Sequence, residues 1–210
     1  MGLTLKNRNK DSYDQERPAF VDDRGRISVN PGLDADLYRL ILPPVAVGAN
    51  KVFFDLFNGS TDKNLEVSAV TPMVDGSVAV VGVLAVDLSL TRTTAVGTGG
   101  TAATLEDASL TAATIAKLDP ASPALPATIT ARAAPAGGAT AGAVLATNSV
   151  FSEETNAATY NRQNFLDMPA GALGARLVTP PNTGIRVVQG TVASVGNIGF
   201  DVLFSVVRRA

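Results

Sequence analysis

The sequence predicts an all-β domain: a jelly-roll-like β-sandwich of about eight strands with an extended N-terminal arm and at most one short helix. Three observations carry that expectation. Apolar and polar residues alternate with period two in Leu65 to Val70, Val78 to Leu90, Ala127 to Ala134 and Ile198 to Val207. The apolar runs are short and are punctuated by turn signals such as Asn58-Gly59, Asp75-Gly76 and Pro180-Pro181-Asn182. The chain has 210 residues, enough for one large domain plus an appendage. Many short strands at close spacing favour a sandwich or barrel.

Residues 1–36 read as the arm and residues 37–210 as the sandwich. The first 40 residues hold 14 of the 36 charged residues, mixed in sign, and their apolar residues follow neither strand nor helix period. Such a segment cannot bury itself: it is either a disordered tail or an arm ordered on a partner surface, and its charges of mixed sign favour the docking arm. Arg8, Arg17, Arg24 and Arg26, with Tyr38 just beyond the arm, are the residues expected to dock there.

From Tyr38 the texture becomes apolar. Lys51 to Phe57 predicts a strand ended by Asn58-Gly59-Ser60, with Val52, Phe53 and Phe54 side by side and both faces covered. Leu65 to Val70 predicts another, closed by Pro72 and Asp75-Gly76. Val78 to Thr91 is the longest candidate, buried on both faces at its start and emerging at its end. Thr93 to Thr104 is small, polar and Gly-rich, and reads as a flexible loop. Leu105 to Leu118 has partial helical spacing and is the stretch that could hold a short helix. Strands follow at Ala127 to Ala134 and Ala143 to Phe151. Asn156 to Ala172 reads as polar loop. Ala175 to Val207 predicts three closing strands, with Gly184 and Gly190 as punctuation. Val52 to Phe57 and Val78 to Leu90 are the expected sheet partners of this closing stretch. The face formed by Phe200, Val202, Phe204 and Val206 is the expected centre of the core.

Composition excludes several chemistries. The chain has no cysteine and no histidine, which removes disulfides, thiolate nucleophiles, Ser-His-Asp sites and the commonest transition-metal ligands. Catalysis would have to use carboxylates, Lys, Tyr or Ser. A net charge of -2 gives no electrostatic basis for nucleic-acid binding. The start carries no apolar signal core, and the longest apolar run, Val78 to Val86, is about half of the ~20 residues a spanning helix needs. The expectation is a soluble protein with no cofactor, no metal, no nucleic acid and no membrane.

The acidic doublets Asp22-Asp23, Glu106-Asp107 and Glu153-Glu154 are poor glycosidase candidates. Adjacent strand residues point to opposite faces, whereas that reaction needs two carboxylates across one cleft. Asp34-Ala35-Asp36 lacks a third calcium ligand at the required spacing. The Gly-rich Thr93 to Thr104 has no Lys at phosphate-loop spacing. No catalytic residue is therefore predicted. Tyr160 and Phe165, in the polar loop, are the aromatic side chains that offer a surface-recognition site.

The blocks VFFDLFNGSTDKNLEVSAVTPMVDG, DLSLTRTTAVGTGGTAAT, SEETNAATY and LVTPPNTGIRVVQGTVASVGNIGFDVLF, in that order, resemble small virion proteins of tailed bacteriophages. The likeness covers about residues 50 to 207 and brings no catalytic residues. It implies a β-rich head or tail component, localised in the virion and assembled in the host cytoplasm. Few charges between Asn64 and Val150 leave the sheet edges little protected, a problem that assembly solves. Together these observations predict a structural protein rather than an enzyme. It would be a capsid decoration or cement protein, trimeric, whose partners are the major capsid protein or other virion subunits. The alternative is a tail or head-fibre component whose loops Thr93 to Thr104 and Asn156 to Gly174 bind a host surface.

Overall fold

The computed structural model describes residues 36–75, 83–106, 112–137, 141–153 and 177–208, and short strands at 20–21, 27–28 and 166–167. The chain divides into two units, Met1–Ala35 and Asp36–Ala210. In the first, β1 (Phe20–Val21) pairs antiparallel with β2 (Ile27–Ser28). Arg8, Arg17, Arg24 and Arg26 lie outside the described residues.

The second unit is a sandwich of two sheets. Sheet I has the order β11 (Ala141–Glu153), β6 (Val83–Thr93), β14 (Thr183–Gln189), β4 (Val52–Asn58), β10 (Ile129–Ala133), β7 (Thr101–Ala102). Sheet II has the order β12 (Leu166–Asp167), β5 (Lys63–Val74), β15 (Asn197–Arg208), β3 (Asp36–Ala46), β9 (Thr114–Lys117), β8 (Thr104–Leu105). β13 (Leu177–Thr179) also pairs with β5. Among the described residues every pairing in these sheets is antiparallel except β8 with β9. No helix occurs among the described residues.

The fold is thus the all-β sandwich that the alternation predicts. Successive strands hop between sheets: β3 lies in sheet II, β4 in I, β5 in II, β6 in I, and β13, β14 and β15 in II, I and II. Each hop lets one chain supply both inner faces, so apolar residues recur at every second position along most strands. The order establishes a sandwich and does not establish jelly-roll wiring, because β15 and β3 occupy the centre of sheet II. The expected partners of the closing stretch hold for β14, which lies between β4 and β6, whereas β15 pairs with β3 and β5.

The core is centred where the closing strand predicts. Phe200, Val202, Phe204 and Val206 are all buried, and Phe200 meets Phe53 and Phe54 across the sandwich at ring-centroid distances of 5.3 and 5.5 Å. Two adjacent strand residues ordinarily face opposite ways. Here the ladder with β14 steps from Phe54 opposite Val187 to Val52 opposite Val188, leaving Phe53 as the extra residue of a β-bulge. The bulge turns both rings inward. Aromatic pairs of this kind add about 0.5–1.5 kcal/mol each beyond their buried area.

Several expectations need correction. Tyr38 is not a docking residue: it is fully buried, stacks on Phe204 with centroids 5.6 Å apart, and donates its hydroxyl proton to the Pro123 carbonyl at 2.9 Å. Burial first, and Asp36 second, push its phenol up to about 12. Of the stretch Leu105 to Leu118, where a helix is expected, residues 107–111 lie outside the described residues, and Thr114 to Lys117 form β9, whose Ile115 enters the core and whose backbone pairs with β3. Cross-strand pairing and β-branched side chains override a short and incomplete helical spacing there. β5 runs through Pro72 to Val74. The bond from the Asp75 N–H to the Asn197 carbonyl turns odd-numbered residues of this segment toward β15, so the missing N–H of Pro72 falls on the opposite side. Gly184 lies inside β14 rather than at its boundary.

One end of the sandwich is tied by buried amide chemistry. The Asn58 side chain donates to the carbonyls of Lys63 at 2.8 Å and Thr179 at 2.9 Å, and accepts from the Ser60 hydroxyl at 2.6 Å. It thereby joins β4, the turn after it, and β13. Arg92 reaches from sheet I to the Val178 carbonyl of sheet II at 3.2 Å.

If Phe200 joins the two sheets, Phe200→Ala should cost roughly 3–5 kcal/mol in equilibrium urea unfolding. Val192→Ala, at a residue that is 72% exposed, should stay within about 0.5 kcal/mol. Equal effects at the two sites would contradict this placement of the core.

Candidate functional site: a strap clamped over sheet I

The most concentrated polar chemistry among the described residues lies on the outer face of sheet I. Asp55 projects from β4 opposite to the inward Phe54 and Leu56. Its cross-strand neighbours are Arg132 on β10 and Arg186 on β14. The row continues to Thr91 on β6, and Arg186 Nε donates to its hydroxyl at 3.3 Å. An acid is therefore held between two bases at the centre of a sheet, where opposite charges directly across a ladder attract.

Asp55 is nevertheless only 1% exposed. What covers it is the segment between β6 and β7. These strands stand four positions apart in sheet I, so the chain must cross β14, β4 and β10 to join them. At ~4.8 Å per strand spacing the crossing is about 19 Å. The eight steps from Thr93 to Thr101 reach at most ~28 Å when fully extended. Little slack remains, and the segment lies across the sheet as a strap. Thr93 to Thr104 is therefore not the flexible loop that its composition predicts.

The strap is fixed at three places. The Gly97 N–H donates to Asp55 Oδ2. Arg132 donates to the Gly99 carbonyl at 3.0 Å. Thr98 exchanges backbone bonds with the segment after β10, donating to the Gly137 carbonyl at 2.7 Å and accepting from the Ala136 N–H at 3.0 Å. Small residues are required for so close an approach. A Cβ on Gly97 would stand 2.6 Å from Asp55 Oδ2 and 3.1 Å from Pro135. Gly99 and Gly100 have φ of 70° and 62°, the left-handed region in which glycine carries no steric penalty. Beyond the strap the chain forms β7 in sheet I and, one residue later, β8 in sheet II, stitching the two sheets along one side.

Burial raises the Asp55 carboxyl above its ordinary 3.8, against the opposing influence of the Gly97 N–H, Arg186 and Arg132. Oδ1 has no hydrogen-bond partner. Desolvation thus outweighs the favourable contacts, as expected for a charge withdrawn from water. The cluster's polar groups are directed at the strap and at each other, an arrangement that holds a backbone rather than one that opens to a substrate.

Other expected positions do not converge on this place. Tyr160 and Phe165 lie outside the described residues, as do Asp22, Asp23, Asp34 and Asp107. Glu106 is exposed and follows β8 with φ of 51°. No group of three or more metal-ligating side chains occurs among the described residues. A groove of about 240 Å³ beside the stitched edge is lined by residues such as Leu105, Ile115, Leu125 and Ile129, and no acid is among its described lining residues. The Asp55 cluster itself is absent from the expectations. Its signal was a lone acid in the apolar run Val52-Phe53-Phe54-Asp55-Leu56-Phe57, with Arg132 and Arg186 each on the polar face of a strand.

Because the folded-state pKa of Asp55 lies above 3.8, the folded chain holds this proton more tightly than the unfolded chain. Its contribution to stability is complete below 3.8 and is lost as pH rises through the raised value. Urea unfolding of the wild type should therefore show a stability decrease across that window which Asp55→Asn reduces. Asp36 shifts in the same direction, so the difference between the two profiles isolates Asp55. Superimposable profiles would contradict the clamp's electrostatics. Gly97→Ala should separately lower stability by roughly 1–3 kcal/mol through overpacking.

No protein-family model, curated protein or solved structure matches this chain.

Proposed function

We propose that this chain is a structural subunit of a bacteriophage virion. It acts as a decoration or cement protein that docks on the major capsid protein through residues 1–36 and sits on the shell as a homo-oligomer, a trimer in the simplest arrangement. The observation that carries the reading is how the described polar chemistry is used. Asp55, Arg132 and Arg186 hold a chain crossing, and Asn58 ties one end of the sandwich. The sandwich interior is filled by packed aromatic and aliphatic side chains. Such a body is suited to persistence and contact.

Low charge is a second support. Only 17% of the residues are charged, and 14 of those 36 fall in the first 40 residues. A charge-rich segment beside a charge-poor body divides specific docking from bulk coverage. The likeness to small virion proteins, carried by residues 50 to 207, points the same way.

Removal of residues 1–36 should abolish attachment to capsids while leaving the far-UV spectrum and unfolding transition of the sandwich nearly unchanged. Full occupancy by the truncated protein would remove the docking role of the arm. Quantifying the chain against the major capsid protein in purified virions tests the location. A stoichiometry proportional to the shell is expected, and a handful of copies would place the protein in a tail, neck or fibre instead.

A further inference from the structure

A sandwich of two open sheets has four edges, and unpaired edge strands invite association unless they are short, charged or covered. Two edges here end in the two-residue strands β7 and β8, formed by one continuous segment that stitches the sheets together. A third, along β5, carries the short strands β12 and β13. The fourth is β11, at 13 residues the longest described strand, and its pairing among the described residues is with β6 alone.

The two halves of β11 differ. From Ala141 to Ala146 its register with β6 shifts twice, the kind of irregularity that spoils an edge. From Ala146 to Glu153 it pairs residue for residue with Leu90 to Val83. The direction of its free hydrogen-bonding groups follows from the neighbouring ladder. The Gly190 N–H donates to the Asp87 carbonyl at 2.8 Å, which turns the peptide groups of Asp87 toward β14. Those of Leu88 must then face β11, and its partner Asn148 faces back. Thr147, Ser149 and Phe151 consequently direct their N–H and C=O groups away from β6, toward the edge that no described strand covers.

That edge also lacks electrostatic protection. Between Arg132 and Glu153 the sequence contains no charged residue. The Thr147 and Ser149 side chains are exposed, and on the same strand Val144 is 60% exposed.

We infer that Thr147 to Phe151 pairs antiparallel with the same segment of a second copy of this chain, about a two-fold axis. The pairing joins two six-stranded sheets edge to edge. A second copy is the occupant that the residues favour. An uncharged strand meets its own image without like-charge repulsion, and a two-fold contact needs only one self-complementary patch. A charged partner strand would find no opposite charge along this run. Edge pairing alone falls short of the ~1,200 Å² of a standard stable interface, so exposed apolar side chains such as Val144 must add to it. The inference concerns the free chain in solution and goes beyond the virion reading, whose trimer is an arrangement on the shell, so it holds or fails independently of that reading.

Analytical ultracentrifugation of the full chain, combined with residue-resolved amide exchange over the same dilution series, tests it. The expected result is a reversible dimer in which the Thr147, Ser149 and Phe151 amides are protected, losing that protection on dilution while the Asn148 amide keeps its own. Thr147→Pro leaves the ladder to β6 intact and should weaken dimerisation at least ten-fold. If that variant misfolds, the exchange pattern of the wild type decides. A chain that is monomeric at every concentration overturns the inference. So does a trimer, or any other assembly, in which those three amides exchange as fast as in the monomer, and that outcome leaves the decoration reading standing.

Discussion

The structure depends on a chain crossing that is held by one buried carboxylate. β6 and β7 belong to the same sheet with three strands between them, and the chain joins them over the outer face. Polar backbone laid across a sheet has to find partners, because unpaired buried N–H and C=O groups are costly. Asp55 supplies one at mid-span and Arg132 another, while Thr98 pairs with the segment that follows β10. The crossing then delivers the chain to the edge where β7 and β8 stitch the two sheets together. Loss of the clamp would loosen the strap and, through it, the stitched edge.

This arrangement runs against the electrostatic preference of the carboxylate. Burial raises the proton affinity of Asp55 although two arginines flank it and an N–H points at it. Buried ionic clusters frequently contribute little net stability and are instead associated with a particular geometry. Here that geometry is the path of the strap: a nonpolar residue at position 55 could fill the space but would give the Gly97 N–H no acceptor. The core does the opposite work. Phe53, Phe54 and Phe200 hold the sheets face to face without directional constraint, and a bulge supplies the second ring.

The sequence made the sandwich legible because hydrophobic alternation reports burial directly. Phe200, Val202, Phe204 and Val206 were readable as a core face, and the strands at Val52 to Asn58, Ile129 to Ala133 and Ala141 to Glu153 stand close to their expected positions. Features set by distant partners were not readable. Phe53 and Phe54 could be seen to be buried, but the bulge that aligns them depends on the register with β14. Tyr38 resembled a docking residue because the charged arm precedes it, although its stacking on Phe204 makes it core. The Gly-rich strap resembled a flexible loop because glycine serves both freedom and close approach, and only the strand order shows which. Asp55, Arg132 and Arg186 are far apart in sequence, and nothing local announces that three strands place them in one row.

Amide exchange at Gly97 in the full chain is the most direct test of the clamp on which this account of the fold rests. The Gly97 N–H should be protected to about the same degree as that of Thr98, and Asp55→Ala should abolish the protection at Gly97 while leaving the amides of β14 and β15 protected. Rapid exchange at Gly97 in the wild type, or unchanged protection in Asp55→Ala, would contradict it.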